Sequence, residues 1–313
     1  MKFTKSVVLA LKGCAMGMAD VVPGVSGGTI AFISGIYEEL IDSIRSVDAT
    51  ALRLLARLRL GELWRHVNGR FLLPVLTGIA IAVFSLARLM TYLLEHHPIE
   101  IWSFFFGLIV ASALLVSKQI GRWDWRTAAA LAVGAAAAWW ITVATPTETP
   151  NDWWFVMLSG AVAICAMILP GISGAFILLL LGKYQYIMQA VGDLNIPVIA
   201  IFAVGAAAGI ISFSHLLSWL LKRWHDVTVA VLMGFMVGSL NKVWPWKETV
   251  ETYTDSHGVL QPLVERNIAP GHFEALYDKP SLLAEAVLLC AAGFLAIYGI
   301  ELLARIVLKK REE

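Results

Sequence analysis

The chain has 313 residues, 58% of them hydrophobic and only 15% charged, with a formal net charge of +1. A mean hydropathy of +0.74 comes from long apolar runs rather than from the half-polar stripes of a soluble domain, which excludes an ordinary water-soluble fold. No P-loop, dinucleotide fingerprint or zinc motif is present, and Cys14, Cys165 and Cys290 are too isolated for a disulfide framework or a metal site.

In chain order, Lys2 and Lys5 precede a short apolar stretch that imitates a signal peptide, but Lys12 cuts it short and no cleavage site follows. The segment Pro23-Gly24-Val25-Ser26-Gly27-Gly28-Thr29-Ile30 comes next. It is answered by Pro170-Gly171-Ile172-Ser173-Gly174-Ala175-Phe176-Ile177, and the match runs without a gap to Gly35/Gly182 and Tyr37/Tyr184. Chance reuse of a flexible turn does not explain the shared tyrosine, so the chain reads as two repeats, 1–150 and 151–313.

Lys and Arg collect in cytoplasmic loops. Lys2, Lys5 and Lys12 lie before the first motif, and Arg45, Arg53, Arg57, Arg59, Arg65 and Arg70 lie after it. With both flanks inside, residues 6–36 enter and leave on one side as a re-entrant helical hairpin. Proline disfavours a helical residue before it, and the glycines supply the bend. Spans are expected at about 71–94, 99–117 and 127–145. A second hairpin at 153–181 and spans at about 197–221, 227–245 and 281–307 follow. Both termini are then cytoplasmic, and residues 246–280 form a polar exterior loop without counterpart in the first half. The Arg-rich stretch 45–70 is a candidate amphipathic helix on the inner leaflet, or a simple topology signal. The expected fold is an all-α polytopic membrane protein. Each half has one hairpin and three crossings, which inverts the second half relative to the first, as in secondary transporters.

Non-helical backbone at membrane depth survives only when buried in protein or lining a wet cavity, so the two hairpin tips should meet. Peptide N–H groups near Gly24, Gly27, Gly28, Gly171 and Gly174, with hydroxyls of Ser26, Thr29 and Ser173, favour an anion, especially a phosphate. The alternative is that these glycines only permit close helix packing. Lys183 is an expected outward-facing phosphate contact. Arg88, inside its span, either lines the cavity or reaches outward. Asp20 is the acid beside the first break, and Met167 stands at its position in the second copy. An acid at such depth is by default functional. Asp20, and with it Glu38, is the candidate group for a coupling proton or cation; a helix-capping Asp20 and an interfacial Glu38 are the plain alternatives. No other cofactor is expected.

Residues 17–29 (Gly17-Met18-Ala19-Asp20-Val21-Val22-Pro23-Gly24-Val25-Ser26-Gly27-Gly28-Thr29), Gly35-Ile36-Tyr37 and the second Pro170-Gly171-Ile172-Ser173-Gly174 resemble the bacterial polyprenyl-phosphate (undecaprenyl-phosphate) transporters. The resemblance covers essentially the whole chain. It implies a non-enzymatic flippase in the bacterial inner membrane that returns undecaprenyl phosphate from the outer to the inner leaflet for envelope synthesis. The residues alone lead only as far as an anion-handling transporter, and an ion-coupled carrier of a small soluble anion is the alternative.

Overall fold

The computed structural model describes residues 2–21, 26–146, 149–254 and 260–309. The chain is mostly helical. The first half contains α1 (Lys2–Val21), α2 (Gly27–Ile33), α3 (Tyr37–Arg45), α4 (Ala49–Ala56), α5 (Leu60–His66), α6 (Gly69–His96), α7 (Pro98–Ser117) and α8 (Trp125–Val143). The second contains α9 (Trp153–Ile168), α10 (Gly174–Leu180), α11 (Tyr184–Gly192), α12 (Ile196–Arg223), α13 (His225–Ser239), β1 (Lys247–Thr254), β2 (Leu260–Asn267), α14 (Pro270–Tyr277) and α15 (Leu283–Lys309).

Among the described residues α7, α8 and α12 are each long and apolar enough to cross a membrane. The count rises to as many as five if two bent pairs, α5 with the start of α6 and α10 with α11, each form one broken span. Valines, leucines and tryptophans along α8 and α12, among them Val133, Trp140, Val204 and Leu216, are exposed on the outside of the bundle. Apolar surface of that kind needs lipid rather than water.

Four helix pairs make up the bundle: α1 with α6, α9 with α12, α7 with α15, and α8 with α13. Small residues let the backbones approach closely in each. Gly17 and Gly78 do so between α1 and α6, Gly209 between α9 and α12, Gly293 between α7 and α15, and Gly238 between α8 and α13. A Cβ on Gly209 would stand 2.6 Å from the Cα of Ala161. The first two pairs lie within a half. The other two, α7 with α15 and α8 with α13, each join a helix of the first half to one of the second.

Three expectations need correction. Residues 45–70 are not one amphipathic helix. Asp48 accepts hydrogen bonds from the N–H groups of Thr50 and Ala51 and so starts α4 afresh, and Leu58 and Asn68 take left-handed backbone that no helix continues through. Residues 246–280 are not simply a loop, although the fold as a whole is mostly helical. They contain the antiparallel β1–β2 hairpin, paired from Lys247↔Asn267 to Thr254↔Leu260, and α14. Val250, Thr252 and Tyr253 are residue types that suit a strand. Finally, the span expected at 227–245 is the 15-residue α13, which ends at Ser239, where a turn from Ser239 to Lys242 leads toward the hairpin.

Candidate functional site

Both repeated motifs fold locally the same way at their far ends. Gly35 and Gly182 adopt positive φ. The N–H groups of Gly35 and Ile36 bond back to Phe32 and Ala31, as those of Gly182 and Lys183 bond to Leu179 and Leu178. Glycine without a Cβ penalty stops the two-turn helices α2 and α10 by the same capping geometry. Gly24 and Pro23 lie outside the described residues.

The two breaks touch. Ser26 caps α2: its Oγ accepts from the Gly28 N–H at 3.1 Å and donates to the Met167 carbonyl, across the halves, at 2.8 Å. Thr29 Oγ1 accepts from the Gly171 N–H at 3.0 Å. Tyr37 donates its hydroxyl proton to the Ile168 carbonyl at 3.1 Å. The Gly27 N–H is held by Asp20 Oδ1 at 2.7 Å. Ser26 and Thr29 are fully buried, and buried hydroxyls must find partners. Here the partners are the backbone of the other half.

Three glycines at the breaks are fixed by close contacts, Gly28 by the approach of the second break and the other two within the second half. A Cβ at Gly28 would lie 2.5 Å from the Ile168 carbonyl oxygen and 3.1 Å from that of Met167. Gly171 has φ +89°, and a Cβ there would meet Ser239 Oγ at 2.6 Å. Gly174 lies against α9, where a Cβ would meet the Ala163 carbonyl oxygen at 2.6 Å.

The second break is less engaged. Ser173 stands at the N-cap of α10 with extended backbone, but no side chain caps that helix. Its hydroxyl is half-buried and, among the described residues, has no hydrogen-bond partner. Ala175 and Phe176 replace the Gly28 and Thr29 of the first copy.

The other sequence candidates sit elsewhere. Lys183 is engaged within the protein. It is buried, and its ammonium donates to the Thr149 carbonyl at 2.6 Å and Asn151 Oδ1 at 2.7 Å, with the Phe155 ring 5.5 Å away. It ties the segment before α9 to the turn after α10, because a buried ammonium needs acceptors on every side. Glu38 is exposed, lies 3.5 Å from His225 Nε2 and lines a cavity of about 400 Å³ with Glu39, Asp42, His66 and Asn68. Arg88 lies on α6, and its side chain is outside the described set.

Two features escaped the sequence reading. One is the role of Tyr37, although its repetition as Tyr184 was visible. The other is a cluster of Lys242, Lys247 and Glu265 beside β1 and β2, whose two lysines flank the sequence Val243-Trp244-Pro245-Trp246.

A family model described as undecaprenyl phosphate translocase-like matches residues 16–261, which include both breaks. The chain belongs to this family. It is similar to the polyprenyl-phosphate transporter of Vibrio cholerae serotype O1, at 47% identity over 291 residues that cover 93% of this chain and 94% of that one. It is also similar to the polyprenyl-phosphate transporter of Staphylococcus aureus, at 34% identity over 253 residues covering 75% of this chain and 85% of that relative. No solved structure matches. With its apolar helices, membership makes the chain a multi-pass membrane protein.

Proposed function

We propose that this protein carries a polyprenyl phosphate, undecaprenyl phosphate in bacterial envelope synthesis, from the outer to the inner leaflet of the cytoplasmic membrane. The observation that carries the reading is the junction of the two breaks, where Ser26 and Thr29 hold the backbone at Met167 and Gly171. Its setting in a family with polyprenyl-phosphate transporter relatives supplies the substrate.

A phosphate monoester with about −1.5 to −2 charges cannot cross hydrocarbon without shelter. Every hydrogen bond across the junction pairs a donor with an acceptor that a phosphate oxygen can replace. When the halves part, the Ser26 and Thr29 hydroxyls and the Gly171 N–H become three donors facing one gap, and Ser173 adds a fourth. The headgroup then takes the place of the junction while the prenyl tail stays in lipid. The reciprocal pairing of α7 with α15 and α8 with α13 supports an inverted repeat rocking about that point, with the termini cytoplasmic. Asp20 couples the cycle to a proton or cation: a protonated carboxyl is a poorer acceptor for the Gly27 N–H, and the first break loosens.

The test is reconstitution in proteoliposomes with polyprenyl phosphate in the outer leaflet and an impermeant phosphatase as reporter. Protection of the lipid that grows with time, faster under an imposed pH gradient, is expected. No redistribution above protein-free vesicles sinks the function. Asp20→Asn is expected to bind lipid but lose the response to the gradient; full transport with an undiminished response removes Asp20 as the coupling group. A cysteine at Arg57 should be shielded from an impermeant reagent in intact cells and one at Thr145 labelled. The opposite pattern refutes the orientation.

A further inference from the structure

At the end of α13 two ammonium groups converge on one oxygen. Lys242 Nζ lies 2.9 Å and Lys247 Nζ 3.3 Å from Glu265 Oε2, while Lys247 also donates to the Lys242 carbonyl at 2.8 Å. Aromatic rings back both lysines: Trp102 on α7 lies 4.5 Å from Lys247, and Phe176 on α10 lies 4.8 Å from Lys242. All three charged side chains are at most one-fifth exposed. Two cations against one anion leave a net positive charge where water cannot easily screen it. Burial, with the charge of Lys242, lowers the Lys247 ammonium to about 8 despite Glu265. The cluster is short of negative charge.

An apolar groove of about 510 Å³ adjoins it. Phe106, Ala136, Trp139 and Trp244 are among its lining, with Asn241 and Asn267 as its polar residues. Asn241 is the chain neighbour of Lys242. Asn267 shares a strand face with Glu265, two residues apart, and its amide donates to Asn241 at 2.9 Å. The charged cluster therefore neighbours the greasy groove at Asn241 and Asn267, and it carries one positive charge in excess. Lys242, through Phe176, also touches the helix that begins at Ser173.

We propose that Lys242 and Lys247 are a docking site for the phosphate monoester of a polyprenyl lipid, with Glu265 as an exchangeable counter-ion and the adjoining groove as the seat of the first isoprene units. The site rests on the transport reading above and gives the lipid a place to bind before it reaches the junction of the breaks. Phosphate oxygens replace Glu265 Oε2 on both ammonium groups and supply the missing charge. The β1–β2 hairpin, which brings Glu265, is the element without counterpart in the first half.

The test measures binding of a short-chain polyprenyl phosphate to the full-length protein in nanodiscs, with melting temperature in parallel. Glu265→Gln is expected to bind more tightly, because the competing carboxylate is gone. Lys242→Gln is expected to bind at least about tenfold more weakly, and Lys242→Arg close to wild type. Ala136→Trp, which fills the groove, should weaken the lipid. Weaker binding in Glu265→Gln in step with Lys242→Gln, both with lowered melting temperature, would make the cluster a structural bridge and overturn the site. Displacement of the lipid by inorganic phosphate at equal concentration would overturn the lipid assignment. Variants that bind like the wild type, in a protein that still transports, defeat the docking site alone. A wild type that neither binds nor moves polyprenyl phosphate defeats the transport reading and the site with it.

Discussion

The two breaks carry nearly the same residues and are held in opposite ways. In the first, the N–H groups of Gly27, Gly28 and Thr29 all have partners, in Asp20, Ser26 Oγ and the Ser26 carbonyl. In the second, no side chain caps α10, and the Ser173 hydroxyl has no partner among the described residues. The shared residues, Gly35 with Gly182 above all, produce the common turn. The unshared ones decide which copy holds the other: Asp20 against Met167, Gly28 against Ala175, Thr29 against Phe176. Thr29 and Ser26 hydrogen-bond across to the second copy, and no side chain of the described second break hydrogen-bonds back. One copy is a clamp and the other is what it clamps, so a ligand would meet unengaged donors first at the second.

The sharpest way to break this contrast is at the position where the copies differ by one methyl group. Gly28→Ala drives a Cβ into the Ile168 and Met167 carbonyls, which are backbone and cannot swing aside. A loss of about 1–3 kcal/mol is expected, read as a lowered unfolding midpoint in detergent, with transport impaired. Ala175→Gly in the second copy should cost about 1 kcal/mol or less, the ordinary helix penalty. Equal losses would show that the copies are equivalent after all.

The serines come next. Ser26→Ala removes the cap of α2 and the bond to Met167 together, and about 1–2 kcal/mol of stability should go with it. Ser173→Ala should leave stability within about 0.5 kcal/mol, yet slow lipid transport in proteoliposomes, because its hydroxyl is free for a ligand. If Ser173→Ala transports like the wild type, the second break contributes no hydroxyl to the headgroup. Thr29→Val leaves the Gly171 N–H without its acceptor. Hydrogen bonds between membrane helices average about 0.6 kcal/mol and reach about 1.7, so a loss within that range is expected. Phe176→Leu, at the matching position, should lose no hydrogen bond.

What the sequence carried and what it hid follow the same division. The apolar runs and the repeated Pro-Gly-x-Ser-Gly turn are local, so period and identity displayed them. The matched glycine caps behaved alike because one residue's φ governs each. The partners of Ser26, Thr29 and Tyr37 lie 131 to 142 residues away, and no spacing rule encodes such a pairing. The partners of Lys183 were hidden for the same reason: Thr149 and Asn151, which accept from its ammonium, lie more than thirty residues before it. The β1–β2 hairpin was legible in principle from its Thr, Val and Tyr residues. The surrounding charged residues made the segment look like a loop.

A last contrast separates the two tyrosines, whose repetition spoke against chance reuse of the turn. Tyr37 is buried, packs its ring 4.8 Å from Phe32 and donates to the Ile168 carbonyl. Tyr184 is half-buried, and its hydroxyl has no partner among the described residues. Tyr37→Phe keeps the ring and its packing and removes one donor to a carbonyl, a loss of about 0.5–1.5 kcal/mol. Tyr184→Phe removes nothing bonded and should be neutral within error. The two variants, compared by unfolding midpoint in the same detergent, differ only in which copy carries the change. If Tyr184→Phe proves the more costly, the second copy is anchored through a contact that forms in another state of the cycle. The clamp would then belong to both halves in turn, and not to the first alone.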